Sequence, residues 1–156
     1  MFILAHLGIT AFFASLLHLS PLTALFASQL PDIIDKPLYI IGIFPSGRYI
    51  GHTLFAAILL GLMTLEMTRK KLIALSVSFG IIMHLVEDLP YFVPWFYPFM
   101  NYDFPQTPFK LSYTLELFIL DLVGLFLLFT LYKKNSTFRN EITRFKNCLI
   151  KKFCLK

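Results

Sequence analysis

Cysteine is almost absent from this sequence: only Cys148 and Cys154 occur in 156 residues. A disulfide-stapled scaffold is thereby excluded, and no His or Cys stands around them at zinc-site spacing. The pair reads as free thiols on a reducing side, or as sites for palmitoylation. Charge is scarce too, at 15% Asp, Glu, Lys and Arg against 57% hydrophobic residues. With a mean hydropathy of +0.71, the chain reads as one integral membrane domain and not as an ordinary soluble one. No basic leader precedes the first apolar run, so a cleaved secretory signal is not expected.

What charge there is lies unevenly. Eight of the 14 Lys and Arg fall from Lys133 onward, against a single acid there, Glu141. The rest of the chain offers no soluble basic face, so nucleic acid is not an expected partner; membrane lipids are. The basic end fits the positive-inside bias and anionic headgroups. Residues 133–156 therefore read as a cytoplasmic tail. Phe138, Ile142, Phe145, Leu149 and Phe153 recur there at near-helical spacing, as in an amphipathic surface helix or a partner-binding tail.

Residues 1–132 divide into apolar segments. Phe2 to Leu19 is stopped by Ser20-Pro21, and Leu22 to Leu30 is too short to span at about 1.5 Å per residue, so it reads as a half-helix. Spans follow from Ile50 to Thr68, from Leu72 to Leu89 and from about Leu111 to Tyr132. The expected fold is an all-α bundle of about four transmembrane helices in the cell's inner membrane. Arg69-Lys70-Lys71 and Lys133-Lys134 close two of the spans and belong on the cytoplasmic side. Two polar connections then share the other face: Pro31 to Gly51, read as a loop with turns, and the aromatic, proline-broken stretch from Pro90 to Lys110. The second reads as an interfacial lid, or as a simple aromatic anchor that includes Trp95 and Phe109.

The polar residues of interest converge on that face. His84 and Asp88 stand four apart, so a helix projects them from one side with Cβ atoms about 6 Å apart. They form a two-ligand metal clamp or an ordinary polar pair, and ionisable residues inside an apolar run mark functional sites by default. His52 opens the span on the same face, and Asp32, Asp35, Lys36 and Arg48 lie in the connection before it. Glu116 and Asp121 are acids within the last span. Glu116 is near enough its outer end to join the cluster, whereas Asp121 is deeper, and a helix-packing hydrogen bond competes as the explanation of either.

Four short motifs together resemble the YdjM-like family of membrane-bound metal-dependent hydrolases, relatives of the zinc-dependent phospholipases C. They are Ala5-His6-Leu7-Gly8, Leu30-Pro31-Asp32, His52-Thr53-Leu54, and Gly80-x-x-x-His84-x-x-x-Asp88 followed by Trp95 and Pro98. The chain departs from the commonest family pattern where Asp35-Lys36 and Gly47-Arg48 replace two histidine-bearing motifs. The resemblance implies a divalent metal, with zinc first and manganese or iron as alternatives. Asp32, His52, His84 and Asp88 would make the inner ligand set, with His6 and Asp35 as further ligands. Metal-activated water would hydrolyse a lipid or other phosphoester substrate, with Arg48 as a phosphate clamp and Glu87 or Glu116 orienting water or a ligating histidine. Lys36 would stand in for the charge of a second metal. The competing class is a non-catalytic carrier or assembly factor whose cluster binds an ion or holds helices together. One conflict stands: with the N-terminus cytoplasmic, His6 lies near the wrong face, and His18, about 18 Å further along a helix, lies near the right one. Either the first segment begins outside and returns through the short piece after it, or His18 takes the place of His6.

Overall fold

The computed structural model describes residues 3–105 and 115–154, and these are helices and loops without strands. In chain order the helices are α1 (Ile3–Leu16), α2 (Pro21–Ala27), α3 (Leu30–Ile40), α4 (Leu54–Thr68), α5 (Lys71–Glu87), α6 (Leu115–Lys134) and α7 (Ser136–Cys154), with a single 3₁₀ turn at Ile50–His52. Their starts follow local chemistry. Ser20 Oγ accepts the Thr23 N–H at 3.3 Å ahead of Pro21 at the first position of α2, and Thr53 Oγ1 accepts the Ala56 N–H at 3.0 Å to open α4.

Named contacts fix the directions of the legs. Ala5 meets Asp121, and Asn135 meets Ser15, so α1 and α6 run parallel. Ser20 meets Ser76 and Ala24 meets Gly80, so α2 runs parallel to α5. Ser78 Oγ donates to the Ala57 carbonyl while Gly61 faces Ala74, so α4 and α5 are antiparallel. Hence α1, α4 and α6 lead away from one end of the bundle, and α2 with α3, like α5, lead toward it. Glycine permits the closest of these approaches: a Cβ on Gly124 would strike the Leu4 carbonyl of α1, and one on Gly8 would strike the Gly124 carbonyl.

This path corrects one expectation. The stretch from Leu30 to Ile40 is helical, not a loop. Pro31 occupies the first turn, where its missing N–H costs nothing, and Pro37 is accommodated later in the helix. Of the four expected spans, length and composition support one. Among the described residues, only α6, with 20 residues, is long and apolar enough to cross about 30 Å of hydrocarbon. By the same rise per residue, α1, α4 and α5, with 14, 15 and 17 residues, fall short. Their outward faces are nonetheless apolar, with Phe13, Ile58, Leu62 and Leu75 exposed. The start of the last expected span, from Leu111, lies outside the described residues, as do Pro108 and Phe109 of the aromatic stretch.

Candidate metal centre

At the end of the bundle where α1 starts and α5 stops, charged residues are buried together. His6 comes from α1, Asp32, Asp35 and Lys36 from α3, His52 from the 3₁₀ turn, His84 and Glu87 from α5, and Asp88 from its C-cap. The spacing 32, 35, 36 puts the α3 residues on one side of that helix, and 84, 87, 88 does the same on α5. His6, His52, His84 and Asp35 are each at most 1% exposed, and Asp32 and Asp88 only 5% and 4%.

Three ligand-type atoms face one another. His52 Nε2 lies 3.3 Å from His84 Nε2, and Asp32 Oδ1 lies 3.4 Å from His52 Nε2 and 3.9 Å from His84 Nε2. In a tetrahedral site with bonds of about 2.0–2.1 Å, ligand atoms stand about 3.3–3.4 Å apart. The trio therefore fits a divalent ion with little adjustment. Asp88 Oδ2 faces the same space, 3.8 Å from His52 Nε2 and 3.9 Å from His84 Nε2. Apart from its ion pair with Lys36, the Asp32 carboxylate accepts no hydrogen bond among the described residues, and His84 Nδ1 has no such partner either. Buried polar atoms left so are rare unless an ion or water completes them.

Two carboxylates stand behind the histidines and aim them. Asp35 Oδ2 meets His52 Nδ1 at 2.7 Å and accepts the N–H of Tyr49 at 2.7 Å and of His52 at 3.2 Å. Its Oδ1 accepts the Gly51 N–H at 2.8 Å. Asp35, expected as a further ligand, thus directs both oxygens to the 49–52 segment, and His52 Nε2 faces Asp32 and His84. Glu87 repeats the device on α1, with Oε2 on His6 Nδ1 and Oε1 accepting from Thr10 Oγ1 at 3.2 Å. His6 Nε2 is then directed toward Asp88 Oδ1, 3.9 Å away, and its ring lies against that of His84 with centroids 4.5 Å apart. Thr10 was missed in the sequence, although its i+4 spacing from His6 placed both on one helix face.

Cations close the open side. Lys36 Nζ lies 2.5 Å from Asp32 Oδ1, and Arg48 Nε donates to Asp88 Oδ2 at 2.6 Å. The Arg48 guanidinium also stands over the Tyr91 ring, 4.6 Å from its centroid. Burial works against ionisation of Asp32, but His52 and the Lys36 charge outweigh it and hold the carboxyl well below the usual carboxylate range. Lys36 is drawn below the ordinary lysine range, because its burial outweighs the attraction of Asp32.

The aromatic stretch lies over this end. Trp95 packs on the core around Leu85 and accepts the Leu54 N–H at 3.0 Å. The hydroxyls of Tyr49 and Tyr97 meet at 2.5 Å, and Phe104 stacks against both rings. Other sequence candidates fall elsewhere. Glu116 is exposed in the first turn of α6, and no hydrogen bond or ion pair joins it to the cluster among the described residues. Asp121 Oδ1 accepts the Ala5 N–H at 3.0 Å, tying α6 to the first turn of α1. His18 sits exposed in the turn after α1, at the opposite end of the bundle, with φ 56°. Of the two sequence alternatives, it is His6 that joins the cluster.

A family model described as YdjM inner membrane protein matches residues 1–146. The chain belongs to the YdjM inner membrane protein family. No curated protein and no solved structure matches it. The matched residues of this YdjM family member include the whole cluster, from His6 to Asp88, and the long helix α6.

Proposed function

We propose that the chain is a membrane-bound metal-dependent hydrolase acting on a lipid or other phosphoester. The observation that carries the reading is the buried group Asp32, His52 and His84, contributed by three separate elements with atoms spaced as a metal's ligands are. Such an arrangement is costly to bury unless something completes it. In this reading Asp32, His52 and His84 hold one divalent ion, zinc by donor type, with Asp88 and His6 facing the same space. The ion supplies an acidified water and positive charge for a phosphoryl oxygen.

The remaining residues have their own tasks. Asp35 keeps His52 in the tautomer that presents Nε2, and Glu87 does the same for His6. Arg48, anchored on Asp88 through Nε and set over the Tyr91 ring, clamps a phosphoryl group with its remaining guanidinium donors. Lys36, paired with Asp32, supplies a positive charge in place of a second ion. The aromatic stretch limits water and borders the bilayer, from which an amphiphilic substrate arrives. In the proposed topology the site lies near the non-cytoplasmic face, and residues 133–156 lie on the cytoplasmic side.

The test is hydrolysis of phospholipids and soluble phosphoesters by the detergent-purified chain, with and without chelator. Turnover that chelation and His84→Ala both abolish, in a variant that keeps its helical content, supports the reading. A folded wild type without turnover, beside a destabilised His84→Ala, makes the cluster helix-packing glue instead.

A further inference from the structure

The end of the bundle away from the metal centre carries features that hydrolysis does not use. Asn135 caps α7 through the Phe138 N–H at 2.9 Å, and the first half of α7 then docks on the bundle. Phe138 is buried and Ile142 packs with it against Leu25 and Leu131. Glu141, the one acid in the basic tail, accepts the Leu22 N–H at 3.0 Å. Between α2, α6 and α7 runs an open groove of about 410 Å³, whose walls include Leu22, Leu25, Leu125, Leu128, Phe129 and Tyr132.

Its position identifies the medium it faces. Lys133 and Lys134 end α6, the helix long enough to cross a bilayer, so Leu125 to Tyr132 lie in the last turns before the headgroups. The groove is thus apolar at acyl-chain depth and opens toward a cluster of cations. The Lys133 ammonium stands over the Phe129 ring of the groove wall, 4.5 Å from its centroid. Arg139 reaches the same junction, with Nη1 donating to the Lys133 carbonyl at 2.6 Å. Past Ile142, Phe145 lies against Phe26 of α2 with ring centroids 5.6 Å apart, and with Leu149 and Ile150 it continues the apolar side of α7 at 41–48% exposure.

We propose that this groove holds an acyl chain of an anionic phospholipid, with Lys133, Lys134 and Arg139 meeting its phosphate. Anionic lipid is favoured over zwitterionic because Lys133, Lys134 and Arg139 bring three positive charges to this junction, against the single carboxylate of Glu141 in the described part of the tail. A cation near the headgroups favours anionic lipid by about fivefold. Native mass spectrometry of the detergent-purified full chain, titrated with phosphatidylglycerol or phosphatidylcholine, tests the site. The wild type is expected to retain phosphatidylglycerol at least about tenfold more, and the triple variant K133Q/K134Q/R139Q to retain both alike. Leu125→Trp, a change at a half-exposed wall residue, fills the groove without altering charge and should release the lipid. Equal retention of the two lipids by the wild type would overturn the proposal. So would a phosphatidylglycerol preference untouched by Leu125→Trp, or a lipid-free dimer in which a second copy covers the groove.

Discussion

Asp35→Asn tests the organisation of the site most sharply, because it changes one atom in a carboxylate that receives four donors. The best placement of the new amide keeps its oxygen on Tyr49 N, His52 N and His52 Nδ1, and turns its NH₂ toward Gly51 N. One buried N–H then loses its acceptor and meets a donor, at about 1–3 kcal/mol. The three surviving bonds lose the charge on their acceptor, at about 1 kcal/mol each. The sum is about 4–6 kcal/mol, an upper figure because the bonds act as one network. The neutral amide oxygen on His52 Nδ1 also no longer raises the basicity of Nε2 as the carboxylate does, which lowers metal affinity by about 10–100-fold. Thermal melting in detergent reads the first effect, and chelator competition for zinc reads the second. A variant that melts with the wild type and holds zinc equally well would refute the assignment of Asp35 as the residue that orients His52.

Arg48→Lys keeps the charge but loses the planar contact with Asp88 and Tyr91. Steady-state kinetics on any phosphoester that the wild type turns over should show KM raised by about tenfold or more, with metal content unchanged. Gly124→Leu forces a side chain into the Leu4 carbonyl and should lower the melting temperature by an amount corresponding to about 1–3 kcal/mol or more, whereas Leu122→Ala on the exposed face of α6 should not. Asp32 has a depressed pKa in the folded chain, so its contribution to stability is complete above its unfolded value of about 3.9 and is lost as pH falls below it. Acid unfolding of Asp32→Asn should accordingly lack the part of the wild-type pH dependence that falls below about pH 4.

Much of the centre was legible in the sequence because its pairs are local. His84 and Asp88 share a helix face by spacing alone, and a basic run after α4 places the far end of α5. The role of Asp35 was not legible, since it depends on the backbone of residues 49–52, and although Glu87 was expected to orient water or a ligating histidine, the sequence did not show that its partner is His6, brought from α1. The direction of α1 was hidden for a related reason. Parity treated Leu22 to Leu30 as a half-helix that leaves the count unchanged, but α2 continues through the break at Ser28-Gln29 into α3 and makes a return leg. With that leg present, α1 begins at the site, and His6, not His18, reaches the cluster. Prolines misled the reading of α3, where Pro31 starts a helix that sequence punctuation had assigned to a loop.

Metal content is the most direct test of the central claim. Elemental analysis of the detergent-purified chain, reconstituted with zinc and freed of excess, should give about one ion per wild-type chain, as expected for a single ligand group. His52→Ala and His84→Ala should each lose it, and His18→Ala should keep it. A well-folded wild type that holds no zinc, manganese or iron after reconstitution would contradict the account, as would retention of metal by both cluster variants.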